Sequence, residues 1–517
     1  MRLLSFVACV AFVAEIDCAN ILAYIPTPSI SHQLPFRSFF KELAIQGHNL
    51  TVITTDPAFS KGNAPSNITE IDVHDISYGP LLSSSLKEFT KGFKSDFVNQ
   101  ASLAHSLFTP VIDNQLSDPE VHNAIFGNKY DLLFIEAIAR PALAISYVQK
   151  APVILLSSVG ATFDVMEAMG APTHPILYPL PWSRQRLYNL TLREKFSELY
   201  THFTLLNVIA TLEDHENRML QKHFGSDIPA LNKLYDNVDM LFLNTNPIFE
   251  DNRPVPPSVI YMWGIHSKPE KQLPKDLKTY LDSSRHGVIY MSFGTNVDPS
   301  LLSPEKIAIF VNVFCKLPYA VLLKWNQDEL PGKCENIKIG KWFPQFDLLR
   351  HPNIKAFVTQ GGLQSTDESI SAGVPLVGIP MLLDQYYNTE KYVHLNIGVQ
   401  LDVETLTEEK FKNALTTVID DESYRKNIKK LSALMRDEPM SGLQRAVWWT
   451  EHVLRHGGAR HLRAPAANIS WSEYLELELV SLVLLAILVV ILLIFTLLLT
   501  CYRFHRNPLT VRKTKIN

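Results

Sequence analysis

Residues 357–385 read F-V-T-Q-G-G-L-Q-S-T-D-E-S-I-S-A-G-V-P-L-V-G-I-P-M-L-L-D-Q. An apolar run ends at Thr359, a Gly-Gly pair turns the chain, and helical spacing begins near Ser365. A second apolar run, 376–379, leads to Asp384 and Gln385, which open another helix beside the same crevice. Strands alternating with helices imply a parallel sheet. Ligands of such sheets gather outside the carboxyl ends of the strands. The free N–H groups and dipole of a helix N-terminus suit a phosphate. Glu368, one turn into the first helix, can accept from sugar hydroxyls. Upstream, Trp342-Phe-Pro-Gln345 offers an indole face for a base and an amide for its edge. The stretch reads as a nucleotide-sugar pocket.

The same alternation extends in both directions. Strands are predicted at 288–293, 320–324 and 354–359, with helices at 304–315 and 365–372. The first half opens with a strand at 21–25, a loop holding Pro26, Pro28 and Ser31, a helix at 36–45 ended by Gly47, and a strand at 50–54. Further strands follow at 132–135, leading into Glu136, and at 153–157. The stretch 160–235 is mostly helical and less regular, and suits a substrate-facing insertion. A Pro-rich, charged segment, 268–275, reads as a linker between two doubly wound domains that enclose a cleft.

The chain has 517 residues, 48 basic and 52 acidic, for a formal charge of −4. That balance gives no footprint of a nucleic-acid binder, and 46% hydrophobic with 19% charged residues excludes a disordered chain. One Arg and an apolar run, 3–14, have the build of a secretory signal. Residues 479–502 carry no charge and are long enough to cross a bilayer, which takes ~20 residues. Glu473, Glu476 and Glu478 precede them, and Arg503, Arg506, Arg512, Lys513 and Lys515 follow, which places the tail in the cytosol. Signal and span together predict type I topology. The terminal K-T-K-I-N resembles a dilysine retrieval signal for the endoplasmic reticulum. Sequons begin at Asn49, Asn67, Asn189 and Asn468; Asn49 opens a run that reads as a buried strand and is discounted. Cys315 and Cys334 either pair or stay free and buried. His452 and His456 have i, i+4 spacing, but without a clear third ligand beyond His461 they read as a solvated helix face, and no metal site is expected. There is no D-x-D, G-x-x-x-x-G-K-[ST], G-x-G-x-x-G, H-E-x-x-H or G-x-S-x-G.

The long stretch, with the opening S-H-x(n)-G-H-x-x-T-V-I-T, the W-x-P-Q segment, G-A-R-H-L-R at 458–463 and the span with its basic tail, closely resembles the family 1 UDP-glycosyltransferases in their animal membrane-bound form. The likeness is strongest to the insect and insect-virus branches, which often carry Gln at the position of Gln360. It implies a GT-B fold, two Rossmann-like domains facing a cleft, and inverting transfer from a UDP-sugar co-substrate without a cofactor. By resemblance, Trp342 stacks on uracil, Gln345 contacts its edge and Glu368 takes the ribose hydroxyls. Thr295, Gln360, Gly362 and Ser365 surround the phosphates, Gln364 stands where many members have Asn, and Asp384 and Gln385 hold the sugar. His32 matches the general base, and Glu136 the partner that orients it.

The resulting division is 1–19 signal, 20–267 acceptor-binding domain, 268–278 linker, 279–440 UDP-sugar-binding domain, 441–478 crossing-back helix and juxtamembrane segment, 479–502 transmembrane helix and 503–517 cytosolic tail. Trp448 and Trp449 are expected to pack where the helix near 441–456 crosses back. The expectation is a lumenal enzyme of the endoplasmic reticulum membrane that moves glucose from UDP-glucose to hydroxyls of small lipophilic acceptors, with self-association left open. A non-catalytic binder of lipophilic ligands and an enzyme for a single lipid or hormone are the alternatives. Glucose is favoured over glucuronic acid because Asn244 stands where glucuronosyl members resemble one another in carrying Arg, although Arg253 is close in sequence.

Overall fold

A computed structural model describes residues 18–83, 97–179, 186–267, 269–295 and 297–506. The signal run 1–17 and the K-T-K-I-N terminus lie outside them. Two all-parallel sheets form the frame. The first has seven strands: β1 (Asn20–Ile25), β2 (Asn49–Thr54), β3 (Ile68–Asp72), β4 (Leu132–Glu136), β5 (Val153–Ser157), β6 (Val238–Leu243) and β7 (Val259–Tyr261), in the order β3-β2-β1-β4-β5-β6-β7. The second has six: β8 (Val288–Ser292), β9 (Ala320–Lys324), β10 (Ile337–Gly340), β11 (Ile354–Thr359), β12 (Leu376–Gly378) and β13 (Gly398–Gln400), in the order β10-β9-β8-β11-β12-β13. β4, β5, β6, β8 and β12 are buried at every residue, as strands covered by helices on both faces must be.

The strand order reverses between β1 and β4 in one sheet and between β8 and β11 in the other. Such switch points open a crevice at the carboxyl edge of a sheet. Helix α1 (Ile30–Ile45) starts six residues before the predicted position and carries Pro35 inside it. Proline has no N–H, so the carbonyl of Ser31, four residues back, has no helical donor. That carbonyl instead accepts the side-chain amide of Gln364 from the second domain. Helical spacing in the sequence begins at Phe36, just after the proline; the chain starts the helix before it and gives the freed carbonyl to the neighbouring domain. Helix α2 (Leu192–Phe224) is opened by a Thr191–Glu194 capping box.

The helix α3 (Leu363–Ala372) begins two residues before Ser365, with Gly362 at its N-cap position, and α4 (Gln385–His394) has Asp384 at its N-cap position without a side-chain capping bond. Gly361, at φ +92°, makes the turn between β11 and α3; a Cβ there would lie 2.5 Å from Thr389 Cγ2, so glycine is required on both counts.

Helix α5 (Gly442–His456) buries Ala446, Val447 and Val453 in the core of the first domain. Glu451 accepts from His48 Nε2 at 2.7 Å, and Arg445 Nη1 donates to the Tyr261 carbonyl at 2.8 Å. Only one of the two tryptophans packs as expected: Trp449 lies against this core, while Trp448 is 46% exposed and stacks on His452. Helix α6 (Leu477–Arg506) is long and apolar enough to cross a membrane and buries none of its surface in the protein.

Cys315 and Cys334 form a disulfide with Cα atoms 5.8 Å apart, closing a loop whose cross-link is worth about 3 kcal/mol. The sequons differ from the sequence reading. Asn49 is the exposed first residue of its strand. The Asn67 amide is instead tied to the carbonyls of Ala44 and His48 at 2.7 and 2.9 Å. Asn468 donates to Asp236 at 2.7 Å, while Asn189 is exposed.

Candidate active site

The two switch points face each other across a cleft of about 570 Å³. One wall begins with His32, in the first turn of α1 rather than in the preceding loop. Gln33 holds that turn in place. Its buried amide donates to the carbonyls of Ile25 and Thr27 and to Thr55, and accepts from Thr54. Every polar atom of that side chain is used, which fixes the loop at the end of β1. His32 Nδ1 is 2.7 Å from Glu136 Oε1 and 3.0 Å from Ser158 Oγ. Glu136 ends β4 and is 1% exposed; its other oxygen accepts from the Thr27 backbone at 3.1 Å. The carboxylate has partners on both oxygens, as a buried charge requires. With Nδ1 engaged on the protein side, Nε2 is the nitrogen left for another partner. His32 lines the cleft and Glu136 stands behind it.

The opposite wall brings together Thr295, Trp342, Gln345, Gln360, Gly362, Gln364, Ser365, Glu368, Asp384 and Gln385. Trp342 is 65% exposed, so one indole face is open. The Gln345 amide donates to Ser365 at 3.0 Å and Glu368 at 2.8 Å, and its oxygen accepts from the Tyr290 hydroxyl at 3.0 Å. Gln360 is buried, accepts from Thr359 at 3.1 Å and presses its amide nitrogen on Gly294, where a Cβ would lie 2.4 Å away. Gln364 lines the cleft with the rest, and its amide also reaches across to the Ser31 carbonyl and bridges the walls. Gln385 faces inward, accepting from the backbone of Met381 and Leu382 at 2.9 Å each. Burial pushes the Asp384 carboxyl up to about 6, opposed by the amide of Asn388 at 2.9 Å and by the charge of His32.

Among the polar residues of the cleft that escaped the sequence reading, Ser158 and Lys324 lie nearest its chemistry-bearing groups. Ser158 follows β5 and contacts the His32 imidazole. Lys324, the last residue of β9, points its ammonium at the Gly294 carbonyl at 2.5 Å and lies 5.1 Å from the Trp342 ring. Burial lowers its pKa, against the pull of Asp298. The usable signal was its place at the carboxyl end of a predicted strand. Asn244 and Arg253 do not line the cleft. Asn244 donates to the Ser158 carbonyl at 3.1 Å, and Arg253 donates to the Tyr178 carbonyl at 2.5 Å. His452 and His461 face each other, Nε2 to Nε2, at 3.0 Å. Among the described residues no group of three or more His, Cys, Asp or Glu is placed to hold a metal.

Two facing Rossmann-like domains, with a helix N-terminus and a carboxylate on one wall and a His–carboxylate pair on the other, define a GT-B glycosyltransferase. The solved glycosyltransferase of kitacinnamycin superposes with a TM-score of 0.58 at 17% identity, over 84% of this chain and 98% of that one. An Arabidopsis thaliana enzyme complexed with UDP-L-rhamnose gives 0.56 at 14% identity, over 85% and 99%. The family model described as "UDP-glucoronosyl and UDP-glucosyl transferase" matches residues 21–510, and the chain belongs to that family. It is 37% identical to an ecdysteroid UDP-glucosyltransferase of Lymantria dispar multicapsid nuclear polyhedrosis virus, over 90% of this chain and 92% of the viral one. It is 34% identical to UDP-glucosyltransferase 2 of Dactylopius coccus, over 90% of each. The protein is a glycosyltransferase that uses a UDP-sugar donor.

Proposed function

We propose that the protein transfers glucose from UDP-glucose, with inversion, to hydroxyl groups of small lipophilic acceptors, steroids and phenols among them. The observation that carries this reading is the His32–Glu136 pair lying across the cleft from Asp384. Glu136 holds Nδ1–H, so Nε2 is free to take the proton of an acceptor hydroxyl. The hydroxyl oxygen then attacks the anomeric carbon from the face opposite UDP. The carbon–oxygen bond to the diphosphate breaks, UDP leaves with the electron pair, and the imidazolium rests against Glu136. Such a base typically contributes 10²–10⁴-fold. Charge building on the diphosphate meets the N-terminus of α3 and Lys324, a set that needs no bound metal in this reading.

Trp342 stacks on the uracil, Gln345 meets its edge, Glu368 takes the ribose, and Thr295, Gln360, Gly362 and Ser365 surround the phosphates. Asp384 and Gln385 hold the sugar. Glucose over glucuronic acid is supported by Asn244, a neutral side chain tied to the Ser158 carbonyl, and by Arg253, which does not line the cleft, since a carboxylate without a cation is costly to bury. The relatives named as ecdysteroid enzymes favour a steroid hydroxyl among the acceptors. The span α6, preceded by Trp471 and Tyr474, supports attachment to a membrane; the acidic flank before it and the basic tail after it favour placing the domains in the lumen of the endoplasmic reticulum. A panel of steroids, phenols and alcohols, run on microsomes with UDP-glucose, UDP-glucuronic acid and UDP-galactose, tests the proposal. Transfer from UDP-glucose to at least one steroid or phenol is expected; comparable rates with UDP-glucuronic acid would overturn the donor assignment.

A further inference from the structure

Helix α4 carries the Asp384–Gln385 pair at its start and is gripped further along by the first domain. Lys391, two turns after Asp384, has a side chain only 1% exposed, and its ammonium lies 2.5 Å from Asp251 Oδ2. The ring of Tyr387, one turn earlier, is 4.9 Å from that ammonium, and the ring of Tyr188 is 5.5 Å from it. Tyr188 also donates its hydroxyl to Asp251, at 3.0 and 3.2 Å to the two oxygens, and stacks on His394 with centroids 3.6 Å apart at 12°. Tyr188 and Asp251 belong to the first domain; Tyr387, Lys391 and His394 occupy one face of α4 at i, i+4 and i+7. Asp251 and Asn252 both adopt left-handed backbone, at φ 55° and 52°, in a turn closed by Asn252 N–H to the Pro247 carbonyl at 2.7 Å. Next to that turn, Phe249 is buried in the core of the second domain.

An ion pair with its ammonium buried is a poor way to gain stability, because an apolar side chain of equal volume avoids the desolvation of that charge. What it supplies is direction. An ammonium between a carboxylate and two ring faces has one low-energy placement, and the carboxylate and one ring come from the domain that carries His32. Asn388, between Lys391 and Asp384 on the same helix, donates to Asp384 at 2.9 Å and to the Gly361 carbonyl at 2.8 Å. A rotation of α4 at Lys391 is therefore passed to Asp384 through the helix and through Asn388.

We propose that Lys391 is a positioning residue for glycosyl transfer. Held by Tyr188 and Asp251, it sets the rotation of α4 so that Asp384 meets the donor sugar opposite His32. The uracil, ribose and diphosphate contacts come from other elements, so Lys391 governs recognition of the sugar and not of the nucleotide. This rests on the donor reading above.

The test uses the full-length protein in detergent or nanodiscs, with UDP and UDP-glucose dissociation constants measured separately for Lys391→Met, Lys391→Arg, Asp251→Asn and Tyr188→Phe. Lys391→Met is expected to weaken UDP-glucose at least fivefold and to lower kcat about tenfold, with UDP affinity held within twofold. Lys391→Arg should recover most of both losses. Asp251→Asn should lose UDP-glucose affinity about threefold, and add nothing to Lys391→Met when the two are combined. Equal weakening of UDP and UDP-glucose, or no change in either, overturns the proposal. If Lys391→Met does not fold, Asp251→Asn and Tyr188→Phe at the partly exposed rim give the same two-ligand readout. A parent that binds UDP but shows neither binding nor turnover of UDP-glucose refutes the donor assignment instead, and is told apart because the variants are then compared with the true donor sugar.

Discussion

The two walls of the cleft are built in different ways. On the second domain the polar groups are dense and tied to one another: Tyr290, Gln345, Ser365 and Glu368 form one continuous hydrogen-bonded chain, and Lys324 and Gln360 converge on Gly294. On the first domain one imidazole faces the cleft, backed by Glu136 and Ser158, with Leu34 and Val159 as neighbours in the lining. A preorganised polar surface confers affinity for a polar ligand. A single oriented imidazole beside apolar surface suits the proposed role of a base acting on a lipophilic acceptor. Nucleotide affinity should therefore belong to one wall and chemistry to the other.

The strongest way to break that division is His32→Ala. It should lower kcat by at least ~10² while leaving the UDP dissociation constant within twofold. An alcohol of high pKa is the right acceptor, since an acidic phenol ionises without help. Glu136→Gln should come close to the same loss. Its amide can donate to Nδ1, which moves the imidazole proton to Nε2 and abolishes the base. A parallel fall in UDP affinity in either variant would dissolve the distinction between the walls.

Lys324→Met probes the other side. A charge-assisted hydrogen bond is worth about 1.5–3 kcal/mol, so UDP should bind roughly tenfold or more weakly by calorimetry, with kcat at saturating donor falling less. Reduced turnover at unchanged UDP affinity would move Lys324 into the chemistry and out of the binding wall.

How much could be read in the sequence follows the same division. The donor wall comes largely from 342–385, where strand, turn and cap lie close together in the chain, so its residues are recognisable as a run. The acceptor wall is assembled across the sheet: His32 and Glu136 are 104 residues apart, and Ser158 is 126 from His32. Strand order alone brings these together, and order is not written in local periodicity. The misplaced start of α1 has a similar cause. Pro35 marks a helix boundary by local rules, but a carbonyl that it leaves unpaired can be satisfied by Gln364 from another domain. Lys391 was invisible because nothing in a ten-residue helix pattern says that a lysine will be covered by a distant turn.

A smaller effect concerns Asp384. Its folded-state pKa, pushed up to about 6, lies above the ordinary carboxylate value. The folded protein therefore keeps a proton that the unfolded chain has lost, and this site's contribution to stability declines as pH rises from about 4 to about 6. Asp384→Asn removes the titration. The Tm of the variant relative to the parent should climb across that interval and then level off, while transfer is impaired. A flat difference in Tm would mean that the carboxyl is not desolvated, and that the donor wall is wetter than its hydrogen bonds imply.

The smallest expected change is Gln360→His, which places a titrating group among the proposed phosphate contacts, the α3 N-terminus and Lys324. Gln360 packs on Gly294, whose carbonyl takes the Lys324 ammonium, so an imidazole there starts beside a cation and is held neutral in the free enzyme. A bound diphosphate reverses the local field and favours the imidazolium. The parent carries a neutral amide that gains at most the ordinary 0.5–1.5 kcal/mol of an uncharged hydrogen bond. Affinity for UDP, which lacks the sugar that Asp384 faces, should therefore be about threefold tighter in the variant than in the parent at pH 5.5, and equal at pH 8. Using the ratio of the two proteins cancels the titration of the nucleotide itself. A ratio that stays constant from pH 5.5 to 8 would show that residue 360 does not sense the diphosphate. Phosphate recognition would then rest on the α3 N-terminus and Lys324 alone.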